Sequence, residues 1–233
     1  MNVGGGRGGR VERILALLRD GARSSARLCE VSTNVTGVSG SGVMLMSGDV
    51  PRGAVCSSNA VSAAIEDLQY MLGEGPCMDA YTNGRVVAVP DLSDPTMTAW
   101  PAFRPQAVQA GARAMFGFPV GVGAVRLGAL NLYRDRTGPL SDEQHADALV
   151  MADVAAWWVL DLQADAPMDA LAAALEIGAD FHFAVQNAAG IVSVQLGISV
   201  TESLIRLRAY AFSRDRPLGD VAREVIEHRL RLE

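Results

Sequence analysis

The sequence predicts an α+β domain with a central, mostly antiparallel sheet, followed by an all-α unit of three helices. Helical patterns and paired strand patterns alternate through residues 11–163, an order typical of such a sheet with flanking helices. Beyond residue 168, apolar residues recur every seven positions, which predicts a long first helix with a coiled-coil-like seam. Gly197 and Ser199 are suited to end that helix and to start the next one.

Within the first domain, the elements are predicted from apolar periodicity and from residues that cap helices. Asn59 is suited to cap one helix, Pro76 to start another, and Ser141 to open the last with a capping box. The predicted helices cover residues 11–18, 25–35, 60–72, a short segment from Pro76, 101–110 and 141–162. The predicted strands cover residues 42–47, 54–57, 86–90, 114–120 and 125–133. Residues 1–10 are predicted to be a flexible N-terminus, and residues 164–168 a linker between domains 11–163 and 169–233.

A heptad seam in the second domain predicts a homodimer. The seam residues are Leu171, Gly178, Phe181, Val185 and Val192. Three helices of this size bury little apolar surface alone, so a second chain is the expected partner. Helix 141–162 is the second predicted dimer contact, and its Trp157 and Trp158 are expected in ordinary core packing. The alternative is that Trp157 fills the core while Trp158 faces the partner.

Five short motifs follow one another through roughly the last sixty residues. They are Ala188-Ala189-Gly190-Ile191, Leu196-Gly197, Leu207-Arg208-Ala209, Arg216-Pro217-Leu218 and Asp220-Val221-Ala222. This stretch resembles the ANTAR family, the three-helix RNA-binding modules of bacterial transcription antiterminators. The resemblance implies binding to two adjacent stem-loops in a nascent transcript, which prevents formation of a terminator. The RNA-binding residues expected on this basis are Gly190, Arg208, Ala211, Arg214 and Arg216.

The charge pattern is compatible with that expectation. The net charge is −6, which argues against a protein coated in nucleic acid, yet residues 206–216 hold four arginines and only one acid, Asp215. These arginines could contact phosphates, or they could simply solvate a helix surface. Gly190, which has no side chain, could allow close approach of RNA or of a neighbouring helix, and both interpretations stay open.

The first domain carries motifs of a second family. They are Gly73-Glu74-Gly75-Pro76-Cys77, Val87-Ala88-Val89-Pro90-Asp91-Leu92, Phe118-Pro119-Val120 and Leu127-Gly128-Ala129-Leu130-Asn131-Leu132-Tyr133. This region resembles a GAF domain, a small-molecule sensor and dimerisation module. The resemblance implies a ligand pocket over the sheet, for a ligand that the sequence does not identify. Its expected lining is Phe116, Phe118, Leu130, Leu132, Cys77 and Tyr81.

Composition indicates a cytoplasmic protein without a membrane anchor. No apolar run approaches the length of a membrane span, and residues 1–10 lack the apolar core of a signal peptide. The three cysteines, Cys29, Cys56 and Cys77, form no CxxC pair and no metal-ligand spacing, so reduced and packed thiols are expected. Cys77, close to a helix start, could alternatively be a bilin-attachment or redox site. No metal and no cofactor are predicted.

The sequence predicts no catalytic residues. It contains no Ser/His/Asp order, no paired carboxylates in one segment and no phosphate-binding loop. One GAF-type enzyme class reduces methionine sulfoxide with cysteines, but no active-site motif surrounds the cysteines here. The favoured hypothesis is therefore a signal-responsive regulator that binds RNA. The alternatives are a DNA-binding helix-turn-helix regulator and a non-catalytic adaptor that acts through protein partners.

Overall fold

The computed structural model describes residues 6–19, 24–47, 50–165, 179–214 and 216–232, and the side chains at 47, 50–52, 162–165 and 179–183 lie outside the description. The chain divides into two units, Met1–Leu171 and Ala172–Glu233. The elements of the first unit are α1 (Arg7–Arg19), α2 (Ser25–Thr36), β1 (Gly40–Ser47), β2 (Val50–Ser57), α3 (Ala60–Leu72), α4 (Pro76–Asn83), β3 (Val87–Val89), α5 (Phe103–Ala110), β4 (Ala114–Val122), β5 (Val125–Arg134) and α6 (Asp142–Asp165).

A five-stranded sheet in the order β2-β1-β5-β4-β3 forms the centre of this unit, and all of its neighbouring strands are antiparallel. The predicted α+β fold with flanking helices is therefore confirmed. The strands β4 and β5 form a hairpin that closes at Val122 and Val125, where Gly123 adopts a positive φ of 59°. That backbone conformation suits glycine in a two-residue hairpin turn.

The two edges of the sheet are irregular or short. Strand β2 forms one edge, and its pairing with β1 shifts register twice, between Val43 and Met44 and between Leu45 and Met46. It also contains Pro51, which has no backbone N–H, and Gly53, which has a φ of 130°. Strand β3, the opposite edge, has three residues.

Alternation along the strands divides the core between the two faces of the sheet. Phe116 pairs with Leu132 and Phe118 with Leu130, and all four side chains join the core formed with α1, α2 and α6. Met115 and Tyr133 point to the opposite face, where they pack with residues of α3 and α5. Helix α4 lies close against β4 on that face, since a Cβ on Gly117 would come within 2.5 Å of the Pro76 carbonyl oxygen.

Two helix caps follow the sequence prediction. The Asn59 side chain accepts from the Ser62 N–H, and the Ser62 hydroxyl is 2.9 Å from the Asn59 backbone nitrogen, so a capping box starts α3. Ser141 and Gln144 form the same reciprocal pair at the start of α6. Both caps satisfy backbone N–H groups that the first helical turn leaves without partners.

Helix α1 begins at Arg7, inside the range 1–10 that was predicted to be a flexible N-terminus. Its arginines face acidic residues of α6. Arg10 and Arg13 lie 2.9 Å and 2.7 Å from the buried carboxylate of Asp147, and Arg7 lies 2.5 Å from Asp153. These ion pairs order a glycine-rich segment that has little helical propensity of its own.

The described part of the second unit contains α7 (Ala179–Leu196), α8 (Val200–Ser213) and α9 (Leu218–Ile226). Gly197 has the predicted left-handed conformation with a φ of 65°, and the Ser199 hydroxyl accepts from the Glu202 N–H at 3.1 Å. Helix α7 packs against both α8 and α9. Leu207 and Val221 are fully buried in this unit.

The predicted heptad seam needs correction. Val185 and Val192 are already fully buried within the single chain, so they present no surface to a second copy. Leu171 and Gly178 lie outside the described residues, as does the side chain of Phe181, whose backbone belongs to α7. Within the described residues, no single helix is long and apolar enough to cross a membrane, although the pair Ala184–Leu196 and Val200–Ser213, bent by 107°, meets the length and composition criteria together.

Candidate functional site

A basic groove lies on the surface of the second unit. It has a volume of about 580 Å³. Its lining includes Arg206, Tyr210 and Ser213 of α8, Arg214, which directly follows α8, and Arg231 near the C-terminal end. Three arginines and one aromatic ring therefore share a single concave surface. Such a combination can bind phosphates through the guanidinium groups and stack an unpaired base on the ring.

Helix geometry explains why α8 contributes most of this groove. Arg206, Tyr210 and Arg214 are spaced by four residues, so they lie on one side of the helix or just past its end. The Arg214 guanidinium carbon lies 4.0 Å from the centre of the Tyr210 ring, a cation–π arrangement that holds both planar groups at the surface. Arg206 also lies 3.9 Å from Glu202, one turn earlier on α8.

Of the five residues predicted to bind RNA, only Arg214 lines the groove. Ala211 is 3% exposed and belongs to the core of the unit, so its prediction as a contact residue is wrong. It continues the stripe of Leu204 and Leu207, which faces inward at helical spacing. Gly190 is half-buried, and a Cβ built on it would meet no atom within 4 Å, so tight helix packing does not account for this glycine.

Two of the predicted arginines are engaged within the chain. Arg216 donates to both carboxylate oxygens of Glu224, at 3.1 Å and 2.7 Å. This hydrogen bonding raises the pKa of Arg216 and lowers the pKa of Glu224. Arg208 is half-buried on α8 and does not line the groove. The sequence analysis missed Arg206, Tyr210 and Arg231. The four-residue spacing could have revealed the first two, whereas Arg231 is brought to the groove only by the fold.

A second polar constellation is buried in the first unit, between the sheet and helices α3 and α4. Glu66 and Gln69 of α3, Asn131 of β5 and Cys77 of α4 are each at least 97% buried. The Asn131 side-chain amide donates to Glu66 Oε1 at 2.8 Å, and the Cys77 backbone N–H donates to Gln69 Oε1 at 2.8 Å. Three further atoms have no hydrogen-bond partner within the described residues: Glu66 Oε2, Gln69 Nε2 and Asn131 Oδ1.

The electrostatics of this cluster favour neutral groups. Burial raises the pKa of Glu66 from 4.5 to about 8, and the hydrogen bond from Asn131 opposes that shift while the charge of Asp67 adds to it. Burial also raises the pKa of the Cys77 thiol, and the charge of Glu66 raises it further. A buried neutral thiol is a poor nucleophile, so the structure gives no support to Cys77 as a bilin-attachment or redox site.

Comparison with known proteins identifies the first unit. A family model described as GAF domain matches residues 25–156, more than half of the chain. The chain belongs to the GAF domain family. The match does not extend into the second unit, so the ANTAR-like character of the C-terminal helices stays a prediction. No match was found among curated protein sequences.

Two solved GAF domains show the same fold. The GAF domain of a phosphoenolpyruvate-protein phosphotransferase from Coxiella burnetii is 12% identical with a TM-score of 0.52, and the match covers 68% of this chain and 95% of that chain. The GAF domain of the corresponding Acinetobacter protein is 11% identical with a TM-score of 0.51, and the match covers 68% and 95% of the two chains. At these identities the likeness concerns the fold alone.

The residues predicted to line a pocket in the GAF domain lie on two different faces of its sheet. Cys77 and Tyr81 belong to α4, on the face of Gly117 and Asn131. By contrast, Phe116, Phe118, Leu130 and Leu132 belong to the core on the α6 side. These six residues therefore cannot line one pocket, and the predicted lining is wrong. Successive side chains in a strand point to opposite faces of the sheet, and the four from β4 and β5 point away from α4. The polar residues Glu66, Gln69 and Asn131, which the sequence analysis missed, accompany Cys77 instead.

The cysteines also depart from the sequence prediction. Cys29 of α2 and Cys56 of β2 form a disulfide, so the expectation that all three thiols are reduced is wrong for this pair. Cys77 is free and buried, as expected. Within the described residues, no group of three or more His, Cys, Asp or Glu side chains could hold a metal ion.

An apolar groove of about 1140 Å³ runs between α1 and α6 of the GAF domain. Leu15, Val154 and Trp158 contribute to its wall, and Trp158 also packs against the core. Trp157 is 65% exposed, so the prediction that both tryptophans lie in the core is wrong for Trp157. The alternative, with Trp157 in the core and Trp158 facing a partner, is also wrong, because it is Trp158 that packs against the core. Leu149, on the same helix, is 42% exposed.

Proposed function

We propose that the protein is a non-catalytic, signal-responsive regulator in which the GAF domain receives the signal and the C-terminal helices bind stem-loops of a nascent transcript. Binding of two adjacent hairpins would prevent formation of a terminator and cause antitermination. The observation that carries the proposal is the basic groove with Arg206, Tyr210, Arg214 and Arg231 on one concave surface. The ANTAR resemblance of the same helices supports it independently.

The chemistry of the groove suits a hairpin loop better than a regular duplex. A-form RNA hides its base edges in a deep and narrow major groove, whereas a loop presents unstacked bases. The Tyr210 ring offers a stacking surface, and Arg214 beside it can stack on a base or pair with a phosphate. Although the net charge is −6, this local concentration of arginines is suited to a polyanion.

The experiment measures binding of the full chain to a two-hairpin RNA and to the same RNA with its loop bases changed. We expect Tyr210→Ala and Arg214→Ala each to weaken binding by about 1–3 kcal/mol, typical of a stacked base or of a specific arginine contact. Arg231→Ala should weaken binding of both RNAs alike and reduce the dependence on salt, as loss of a phosphate contact does.

Arg223→Ala is the matched control, because Arg223 is an exposed arginine of α9 that pairs with Asp220 at 2.5 Å and does not line the groove. It should bind RNA as the parent does. A parent chain that binds duplex DNA and not the hairpins would favour the helix-turn-helix hypothesis. Binding to a protein with no affinity for either nucleic acid would favour the adaptor hypothesis.

The proposed regulator is a homodimer, as two adjacent hairpins require two binding units. Since Val185 and Val192 are buried, the exposed Trp157 and Leu149 of α6 support the GAF domain as the place of contact. We expect Trp157→Glu to shift the parent from dimer to monomer in analytical ultracentrifugation. Exposed Val125, in the β4–β5 hairpin, supplies the control Val125→Glu, which should leave the assembly unchanged. A monomeric parent would contradict this part of the proposal.

The cluster around Glu66 supports a small polar molecule as the ligand of the GAF domain. Buried polar atoms are nearly always hydrogen-bonded, and the three unpartnered atoms at Glu66, Gln69 and Asn131 are complementary to a molecule that both donates and accepts hydrogen bonds. A polar-metabolite library, scored by thermal shift on the parent and on Asn131→Leu, tests this. A ligand that stabilises both proteins equally would bind elsewhere.

A further inference from the structure

Two of the three cysteines meet at one edge of the GAF domain. Cys29 lies on α2 and Cys56 on the edge strand β2, at a sequence separation of 27 and with 6.0 Å between their Cα atoms. Neither the charge pattern nor the family match assigns a role to them. The protein has only three cysteines, so the pairing of two from separate elements is a specific feature of its fold.

The surroundings of Cys29 hold its backbone in place independently of the disulfide. Its carbonyl oxygen accepts from the Ser41 hydroxyl of β1 at 2.7 Å and from the Thr33 hydroxyl at 3.0 Å. Helix α2 is also anchored by the core that it shares with α6. The pairing of Cys56 with Val43 of β1 is likewise independent of the S–S bond, so both sulfur atoms should stay near each other when that bond is cut, and the bond can form again without refolding.

The Cys56 side of the pair is the accessible one. Cys56 is 8% exposed, whereas Cys29 is completely buried. Cys56 pairs with Val43, next to the first register shift between β1 and β2, and β2 has a neighbouring strand on one side only. Edge strands with interrupted pairing open locally at low cost in free energy, which admits a small oxidant or reductant.

The third cysteine does not compete for pairing. Cys77 is completely buried and lies on the opposite side of the sheet, with Glu66 and Asn131. The sheet thus separates it from the other two thiols, and Cys29 and Cys56 have no alternative partner within the chain. A pair that can form only one disulfide gives a two-state response.

We propose that Cys29 and Cys56 form a reversible thiol–disulfide switch through which the GAF domain responds to hydroperoxides. The Cys56 thiolate attacks a peroxide oxygen and the O–O bond breaks, which leaves a sulfenic acid; the departing hydroxide or alkoxide takes up the proton that the thiol had released, giving water or an alcohol. When β2 opens locally, the Cys29 thiol meets solvent and ionises, and its thiolate attacks the Cys56 sulfur and displaces hydroxide, which takes up a proton to give water. Two thiols are oxidised and one peroxide is reduced. A dithiol reverses the reaction through a mixed disulfide first formed at the accessible Cys56.

The switch acts on the helix that ends the GAF domain. In the oxidised state, α2 is covalently tied to β2, and α2 packs on α6 in the same core as Cys29. In the reduced state, that covalent tie is absent, and β2 is held by its hydrogen bonds to β1 and by noncovalent packing against α2 and α3. Oxidation therefore restricts the motion of α2 relative to the sheet, and α6 is the element that receives the change.

The test cycles the full chain, without denaturant, between hydrogen peroxide and dithiothreitol. After each step the protein is denatured and its free thiols are labelled with a maleimide and counted by mass spectrometry. We expect three labels after reduction, one after oxidation, and a peptide that links Cys29 to Cys56. Hydrogen exchange of α2 and β2 should slow by about tenfold or more on oxidation, because the closed loop restricts the open state.

Variants separate the pair from the remaining thiol. Cys77→Ser should cycle between two labels and none, while Cys56→Ser should keep its two remaining thiols after peroxide treatment. Three labels in the parent after peroxide would overturn the proposal, since the thiols would then be inert. A single label after native dithiothreitol treatment would overturn it as well, since the disulfide would then be a permanent structural bond. Both outcomes are read on the parent, so they hold even where a variant fails to fold.

Discussion

The buried carboxyl group of Glu66 should make the stability of the GAF domain depend on pH. Burial holds its pKa at about 8, against an ordinary value of 4.5 for an exposed glutamate. Between these values the folded state binds a proton that the unfolded state has lost, so the free energy of unfolding decreases as pH rises and levels off above the folded pKa. At about 1.4 kcal/mol per pH unit, the loss between about pH 5 and pH 7.5 is about 3 kcal/mol.

Glu66→Gln isolates this effect, because glutamine has the same shape and can still accept from Asn131 but does not ionise. Urea unfolding of parent and variant across this pH range should give a difference in unfolding free energy that changes by about 3 kcal/mol, in favour of the variant at high pH. Glu30→Gln is the control, since the Glu30 side chain is 54% exposed beside Arg27. A parent–variant difference that stays constant with pH would refute the assignment of a raised pKa to Glu66.

Three further substitutions test single features. Gly190→Ala should stabilise the second unit by about 0.5–1 kcal/mol, because the added methyl meets open space and glycine disfavours a helix interior; weaker RNA binding by this variant would show that RNA approaches there. Gly117→Ala should lower stability by about 1–3 kcal/mol, since its Cβ would lie 2.5 Å from the Pro76 carbonyl oxygen, and thermal melting measures the loss. Ser199→Ala should cost about 1 kcal/mol in urea unfolding through loss of the α8 cap.

Local signals were sufficient to predict most of the GAF fold. Asn59 and Ser141 cap the helices they were expected to cap, and the five predicted strands are all present. The start of α1 was missed because it depends on Arg7 and Arg10, whose partners lie on α6, more than a hundred residues later. Sequence periodicity contains no information about such distant ion pairs.

The candidate sites were harder to predict, because they depend on which face of an element a residue occupies. The four apolar residues Phe116, Phe118, Leu130 and Leu132 do share one face of the sheet, but α6 covers that face. Asn131 is a polar residue between two leucines of a buried strand, and it was the local indication that the opposite face of the sheet carries buried polar groups. Neither Arg231 nor the approach of Cys29 to Cys56 has a local signal, since each is placed by the tertiary fold.

The irregular edges of the sheet have a consequence for the behaviour of the protein at high concentration. An exposed strand with regular hydrogen-bonding groups is a template on which another chain can add, and such addition leads to fibrils. Here one edge has two register shifts, a proline and a glycine with positive φ, and the other edge has only three residues. Neither offers a straight row of free N–H and C=O groups, so the folded GAF domain should resist aggregation by strand addition.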